Sequence, residues 1–103
     1  AQRYVVEVDG DSMQPTLLPG EYVVVEWHRT PRHQNQLVVM CRADSGTDFA
    51  EVALKRIEET PEAWIFHSEN PTYEDIPVSK ADQAGHPILG IAVYNLSRGI
   101  SVR

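Results

Sequence analysis

The hydrophobic pattern consists of short apolar runs separated by turn-forming residues. The runs are rich in valine, isoleucine and aromatic residues, a composition typical of β-strands. They span Tyr4 to Val8, Tyr22 to Glu26, Leu37 to Arg42, Glu51 to Ile57, Ala63 to His67 and Ile88 to Asn95. Asp75 to Val78 is a candidate for one more short strand. Because glycines and prolines between the runs favour turns, the pattern predicts a chain built mainly of strands.

Helical periodicity is weak along the whole chain. No stretch keeps an apolar period of 3.6 residues for three turns. Met13 to Leu18 fits a single helical turn, which Pro19 and Gly20 would end. With 103 residues, of which 42% are hydrophobic, the chain has the size and apolar content of one packed domain. We therefore predict one all-β domain over residues 1–103, a compact and partly rolled antiparallel sheet.

The charge balance argues against DNA binding by this chain alone. The formal net charge is −6, whereas a duplex-binding surface needs a basic patch that replaces the phosphate counterions. The densest basic stretch contains only His28, Arg29, Arg32 and His33. Cys41 is the only cysteine, so no internal disulfide is possible and a reducing cytoplasm is expected. Since no apolar run approaches about 18 residues and no signal peptide is recognisable, we predict no contact with a membrane.

One segment places a serine in an unusual backbone setting. Ser12 lies between Gly10, which permits an unusual conformation, and Pro15, which restricts the chain after the serine. It follows a predicted strand and precedes a turn, a junction at which a serine is exposed. Backbone N–H groups at such a junction are free to stabilise an oxyanion. The same pattern is also typical of a serine that caps a turn, so the residues alone leave both interpretations open.

A serine nucleophile needs a base, and the chain offers histidines and lysines. The histidines are His28, His33, His67 and His86, and none lies in a distinctive motif. Lysine is the alternative, but its ordinary pKa near 10.4 must fall by about three for it to act near pH 7. Burial among apolar groups has that effect, because desolvation disfavours the ammonium form.

Lys55 is the better of the two lysines for this role. It lies in an apolar strand and shares a face with Ala53 and Ile57, whereas Lys80 lies in a polar run. A strand lysine whose amine reaches solvent is the other interpretation of Lys55.

Four blocks of the sequence follow one another in a distinctive order. The first is VDGDSMQPTLLPGEYVVV from Val8 to Val25, and the others are LKRI from Leu54 to Ile57, SENPTY from Ser68 to Tyr73 and ILGI from Ile88 to Ile91. In this order they resemble the LexA-like self-cleaving proteins, a family that includes phage repressor C-terminal domains and UmuD-type polymerase accessory proteins, and the first block is similar to the nucleophile motif of that family. Together the blocks are a far more specific signal than any one of them.

The resemblance implies a serine peptidase on a sheet of the LexA and signal-peptidase type. Ser12 would be the nucleophile and Lys55 its general base. The backbone N–H of Ser12, together with that of Asp11, would form the oxyanion hole. Met13 would pack beneath the serine, and Pro15 would support the turn.

The same blocks bear on the role of Arg56 and on a second family resemblance. Arg56 alternates to the face of the strand opposite Lys55 and is expected to matter less for cleavage. The blocks also resemble leader (signal) peptidases, but those enzymes carry a membrane anchor, and the block from Ser68 to Tyr73 fits the repressors better.

The family cuts a bond between a small residue and glycine upstream of the serine. The residues before Ser12 contain no Ala-Gly or Cys-Gly pair, and Ala84–Gly85 is expected to form a turn. We therefore expect a longer protein, whose upstream segment is the substrate and whose upstream domain binds DNA. An activator protein would favour the docked state of that segment. A non-cleaving dimerisation module of a repressor is the alternative function.

Two expectations concern partners and cofactors. The apolar run Ile88 to Tyr94 lies close to the C-terminus and would leave an exposed strand edge unless a second copy covered it, which predicts a homodimer. The acidic group Glu7, Asp9 and Asp11 matches the calcium-loop pattern only incompletely. We therefore predict no metal and no cofactor.

Overall fold

Strands account for the regular secondary structure in the part of the chain that the computed structural model describes, residues 2–43, 50–81 and 87–103. They are β1 (Arg3–Glu7), β2 (Tyr22–Trp27), β3 (Leu37–Ala43), β4 (Ala50–Glu59), β5 (Ala63–His67), β6 (Ile76–Ser79), β7 (Ile88–Asn95) and β8 (Ile100–Ser101). The predicted all-β class is therefore confirmed. Ala84–Gly85, for which we expected a turn, lies outside the described residues.

The predicted strand positions agree closely with the structure. β5 and β7 have the predicted bounds, and the other predicted strands differ by one or two residues at one or both ends. β8 was not predicted, because two residues are too few to display a period. The turn expected after Ser12 is present as one hydrogen bond from the Leu17 N–H to the Met13 carbonyl, 2.9 Å long, and it does not extend into a helix.

The strands form one antiparallel sheet in the order β1-β2-β7-β3-β4-β5-β6, and β8 pairs with the end of β7. The expectation that Ile88 to Tyr94 leaves an exposed edge is wrong, because β2 pairs with one side of β7 and β3 with the other. A strand that is apolar at most positions is best buried in the centre of a sheet, wherever it lies in the sequence. Gly90 permits the close approach of β7 to β2, since a Cβ there would overlap the backbone carbonyl of Glu26.

Two apolar clusters lie on the two faces of the central strands. In β3, Leu37 and Val39 belong to the first cluster, whereas Val38 and Met40 belong to the second. Successive side chains of a strand point to opposite faces, so a run that is apolar at every position buries both of them. This explains why the central strands lack the apolar–polar alternation of a half-exposed sheet.

Different parts of the chain cover the two clusters. The loop between β1 and β2 covers the first through Val8, Met13 and Leu17. The second runs across the sheet from Phe66 of β5 to Ile91 of β7 through residues of β3 and β4. Asn70, which follows β5, donates its backbone N–H to the Ser12 carbonyl in the β1–β2 loop, although β7, β3 and β4 lie between β2 and β5 in the sheet. The sheet must curl to allow this contact, in agreement with the predicted partly rolled shape. Within the described ranges, no helix has the length and apolar character needed to cross a lipid bilayer.

Candidate active site

The loop between β1 and β2, residues 8–21, carries the predicted nucleophile. Two backbone hydrogen bonds close its base, from the Val8 N–H to the Glu21 carbonyl (2.8 Å) and from the Gly20 N–H to the Val8 carbonyl (2.9 Å). Gly10 has a φ of 77°, in the left-handed region that favours glycine. Space is not the reason for this glycine, because a Cβ there would meet nothing within 4 Å. The unusual backbone expected before the serine is present.

The residues that follow Ser12 anchor this loop to the core. Met13 and Leu17 are both buried in the first apolar cluster, whereas Ser12 itself is partly exposed. Pro15 is exposed, and the Gln14–Pro15 peptide bond is cis. The loop therefore presents the serine at the surface while its neighbours hold the backbone onto the sheet.

Lys55 lies on β4 with its side chain beneath the surface. The residue is only 6% exposed, and Ile57 on the same face of the strand is buried. Its Nζ donates a hydrogen bond to the Oγ of Ser68 (2.8 Å) and lies 5.4 Å from the centre of the Tyr73 ring. The interpretation in which this lysine extends into solvent is therefore excluded.

One groove of about 420 Å³ brings Ser12 and Lys55 to the same surface. One wall is the start of the β1–β2 loop, residues 8–13, and the other is residues 52–55 of β4. Trp27 and Tyr73 also line the groove. Ser12 and Lys55 thus line one cavity, although they lie 43 positions apart in the sequence.

The other candidate bases lie elsewhere. Among the described residues no histidine lines this groove, and His28 lies beside a separate depression. Lys80 forms an ion pair with Glu59, with 2.7 Å between Nζ and Oε2. Lys55 is therefore the candidate base that the described part of the chain brings to the serine.

The connection between β5 and β6, residues 68–75, ties the two candidates together. Its Ser68 accepts the hydrogen bond from Lys55. The backbone N–H of Asn70 donates to the Ser12 carbonyl (2.9 Å), and its side-chain Nδ2 donates to the Asp11 carbonyl (3.1 Å). One short segment thus binds both the candidate base and the backbone of the candidate nucleophile.

Tyr73 adds a further link between this connection and the β1–β2 loop. Its hydroxyl donates to the carboxylate of Asp11, with 2.6 Å between the oxygens. This hydrogen bond and the negative charge of Asp11 raise the pKa of Tyr73, so the phenol keeps its proton and continues to donate. Within the described ranges, no three acidic, histidine or cysteine side chains are grouped so that they would hold a metal ion.

Arg56 takes part in the same arrangement, which sequence reasoning did not anticipate. Its Nε lies 2.8 Å from Oε1 of Glu69, and one terminal nitrogen donates to the Asn35 carbonyl (3.2 Å). Lys55 and Arg56 thus bind neighbouring residues of one connection, Ser68 and Glu69. The arginine anchors the segment that holds the lysine.

His67 precedes this connection and lies between two carboxylates. Its Nε2 is 2.7 Å from Glu58 and its Nδ1 is 2.8 Å from Asp75. Partial desolvation acts to lower the pKa of His67, but the hydrogen bonds to Asp75 and Glu58 outweigh it and raise the pKa above its usual 6.5. Only the protonated ring donates from both nitrogens, so this geometry belongs to the imidazolium form.

Sequence reasoning identified the block from Ser68 to Tyr73 but assigned no role to its members. Their partners are remote, since Asn70 and Tyr73 bind Asp11 across 59 and 62 positions. The available signal was the density of hydrogen-bonding side chains in one short turn between two strands. Such a signal predicts a polar turn, but it does not identify the partner.

An all-β domain that brings a serine and a buried lysine to one groove is the arrangement that the resemblance to LexA-like proteins implied. The profile of the Peptidase S24-like family matches residues 1–93. The chain therefore belongs to this family.

Two curated relatives are LexA repressors. The protein from Idiomarina loihiensis is 29% identical over 103 residues, which are 99% of this chain and 46% of the relative. The protein from Colwellia psychrerythraea is 32% identical over 100 residues, which are 96% of this chain and 44% of the relative. The chain thus spans less than half the length of these relatives, and the resemblance to LexA-like proteins is confirmed.

Proposed function

We propose that this chain is the self-cleaving peptidase domain of a transcriptional repressor, with Ser12 as nucleophile and Lys55 as general base. The main support is the shared groove, which a partly exposed serine and a lysine that is only 6% exposed both line. Burial disfavours the ammonium form of a lysine, and a general base must be neutral. The Ser68 hydroxyl suits both forms, because it accepts from an ammonium and donates to a neutral amine.

The proposed reaction moves one proton between Ser12 and Lys55. As Oγ of Ser12 bonds to the scissile carbonyl carbon, the amine of Lys55 takes the hydroxyl proton. The C–N bond then breaks, and the ammonium of Lys55 returns the proton to the leaving amine. Water hydrolyses the ester at Ser12 with Lys55 again as base, which restores the free hydroxyl.

The backbone N–H groups of Asp11 and Ser12 are proposed to stabilise the oxyanion. Within the described residues neither N–H donates to a backbone carbonyl, which leaves both available for a ligand. Removing one donor from an oxyanion hole typically lowers kcat by about 10²- to 10³-fold. The positive φ of Gly10 directs the backbone into this turn.

The proposed substrate is an extended segment upstream of this domain. Residues 52–54 of β4 pair with β3 on one side, whereas β5 pairs with β4 only from Arg56 to Glu59. Among the described strands none pairs with the other edge of residues 52–54, which borders the groove. An extended segment can add to such an edge through backbone hydrogen bonds. Tethering raises its effective concentration, and an activator protein would act by favouring the docked state.

The remaining partners are a second copy of the chain and, through an upstream domain, operator DNA. Two exposed apolar side chains, those of Tyr22 and Leu96, support the homodimer. The two residues are neighbours, since the Leu96 N–H donates to the Tyr22 carbonyl. Light scattering at micromolar concentration should report a dimer, and a monomeric mass at high concentration would contradict it.

The test of the proposed activity is a gel time course on this domain preceded by its natural upstream segment. Ser12→Ala should abolish cutting without altering the fold, because it removes only one oxygen. Since Lys55 must lose its proton before it acts, the wild-type rate should rise from neutral to alkaline pH and then level off. A wild type that is never cut at any pH would overturn the proposal and favour a non-cleaving dimerisation module.

A further inference from the structure

We infer that Asn70 is a positioning residue for the oxyanion hole, because its side chain holds the peptide plane that carries the Ser12 N–H. The inference rests on the proposed function, in which that N–H binds the developing oxyanion. Asn70 lies on the connection between β5 and β6, and its Nδ2 donates to the Asp11 carbonyl over 3.1 Å. It touches the backbone of the nucleophile loop and no reacting atom.

The geometry of a peptide bond links this contact to the Ser12 N–H. The Asp11 carbonyl and the Ser12 N–H belong to one planar unit, and in a trans peptide they point in opposite directions. The bond between these residues is trans, since the cis bond of the chain's described part is Gln14–Pro15. A donor that holds the carbonyl therefore fixes the direction of the N–H, which points the opposite way within the same plane.

Two further hydrogen bonds immobilise the same backbone. The Asp11 carbonyl also accepts from the Gln14 N–H (3.2 Å), so both of its lone pairs are engaged. The Ser12 carbonyl accepts from the backbone N–H of Asn70 (2.9 Å). Asn70 thus holds two successive peptide planes, one before the serine and one after it.

The orientation of the Asn70 amide follows from its neighbour Thr72. The Thr72 backbone N–H and hydroxyl both lie within 3.0 Å of the amide oxygen Oδ1. A backbone N–H can only donate, so the atom that faces it must be the oxygen. The Nδ2 group is therefore the one that faces Asp11, and Thr72 keeps it there.

The experiment measures acylation of Ser12 by a pair of small esters, which require no knowledge of the natural cleavage site. p-Nitrophenyl acetate and its thiono analogue place oxygen or sulfur in the oxyanion hole, and sulfur accepts hydrogen bonds from N–H groups poorly. Released nitrophenolate gives the rate, and mass spectrometry locates the acyl group. The acylation rate of the oxygen ester is divided by that of the thiono ester, and this ratio is then divided by the same ratio for attack by hydroxide. The result reports how well the N–H groups of the oxyanion hole are aligned.

Two variants remove the Asn70 donor. Asn70→Asp keeps the shape and both Thr72 contacts but turns an acceptor towards the Asp11 carbonyl, and Asn70→Ala removes the group without adding charge. We expect each to slow acylation by about tenfold or more and to lower the oxygen-to-sulfur ratio by at least about fivefold. Simple loss of folded protein would slow both esters equally and leave that ratio unchanged.

Gln34→Glu is the matched control. Its Nε2 donates to the Glu59 carbonyl (2.9 Å) and its Oε1 accepts from the Glu59 N–H, so the change again sets a carboxylate against a carbonyl, away from the groove. It should leave the ratio at the wild-type value. An unchanged ratio in both Asn70 variants would overturn the inference while the proposed function stands. Ser12 acylation that is no faster in the wild type than in Lys55→Ala would overturn the proposed function itself.

Discussion

Lys55 and Lys80 are the two lysines of the chain, and each places its amine over an aromatic ring of the β4–β6 region. Nζ of Lys55 lies 5.4 Å from the centre of the Tyr73 ring, and Nζ of Lys80 lies 5.3 Å from that of Trp64. The aromatic neighbour is therefore common to both sites. It does not distinguish a lysine that lines the groove from one that stabilises the sheet.

Burial and the chemistry of the hydrogen-bond partner do separate the two sites. Lys80 has a side chain that is 27% exposed and is paired with the Glu59 carboxylate, which favours the ammonium form. Lys55 is only 6% exposed, and its partners include the Ser68 hydroxyl, which suits either protonation state. The comparison teaches that burial is what makes Lys55 a candidate base, whereas the ion pair of the more exposed Lys80 with Glu59 favours a cation there.

Exchange of each lysine for arginine should give the largest contrast. Arginine keeps the positive charge but cannot lose its proton in a protein. We expect Lys55→Arg to slow self-cleavage by at least about 10³-fold, as removal of a member of a catalytic pair does, and Lys80→Arg to leave the rate unchanged. The measurement is the first-order rate constant from a gel time course at alkaline pH. Substantial cutting in Lys55→Arg would remove the distinction between the two sites.

Removal of the Ser68 hydroxyl, the hydrogen-bond partner of Lys55, should have the next largest effect on the cleavage rate. Ser68→Ala deletes the hydroxyl that holds Nζ of Lys55, and misplacement of a reacting group by about 1 Å can slow a reaction by about 10²-fold. We therefore expect cleavage to slow by about 10- to 100-fold, with the pH at which the rate levels off also displaced. Glu59→Gln, which neutralises the partner of Lys80, is the control and should not change the rate. Equal rates in the two variants would show that the hydroxyl does not position the amine.

The two lysines should also differ in their contribution to stability. Lys55→Met replaces a buried amine by an apolar group of similar length, and we expect the free energy of unfolding to rise by about 1 kcal/mol. Lys80→Met removes a partly exposed ion pair and should lower it by less than about 1 kcal/mol. Urea unfolding followed by tryptophan fluorescence measures both. A destabilised Lys55→Met variant would mean that the amine is well compensated in the folded state.

The smallest expected effect concerns His67, which lies between the two lysine sites. Its raised pKa means that the carboxylate contacts stabilise the fold fully below about pH 6.5, and that this contribution is lost as pH rises through the higher folded-state value. Because Glu58 and Asp75 are half exposed, we expect less than about 1 kcal/mol. The Tm difference between the wild type and His67→Gln should therefore be a few degrees at pH 6 and should shrink towards pH 9. A difference that grows with pH would contradict the imidazolium assignment.

Sequence patterns predicted the strands well because most of the signal for a strand is local. β5 and β7 have the predicted bounds, since turn residues flank runs of β-branched and aromatic side chains on both sides. The same local reasoning could not predict the strand order. β7 was expected at an edge from its position near the end of the chain, yet it pairs with β2 and β3, because pairing partners are chosen by burial of both faces in three dimensions.

By itself, the sequence determined the all-β class, because turn chemistry and strand composition are properties of neighbouring residues. The choice of Ser12 and Lys55 as candidates came from the resemblance of four ordered blocks to a known family, since the residues alone left other interpretations of both open. Only the tertiary structure decided what surrounds these two side chains. The hydrogen bonds of Ser68 to Lys55 and of Asn70 to Asp11 join residues on different strands and loops. Such contacts form when the sheet curls and brings the β5–β6 connection against the β1–β2 loop, and no local pattern encodes which distant backbone group a turn residue will bind.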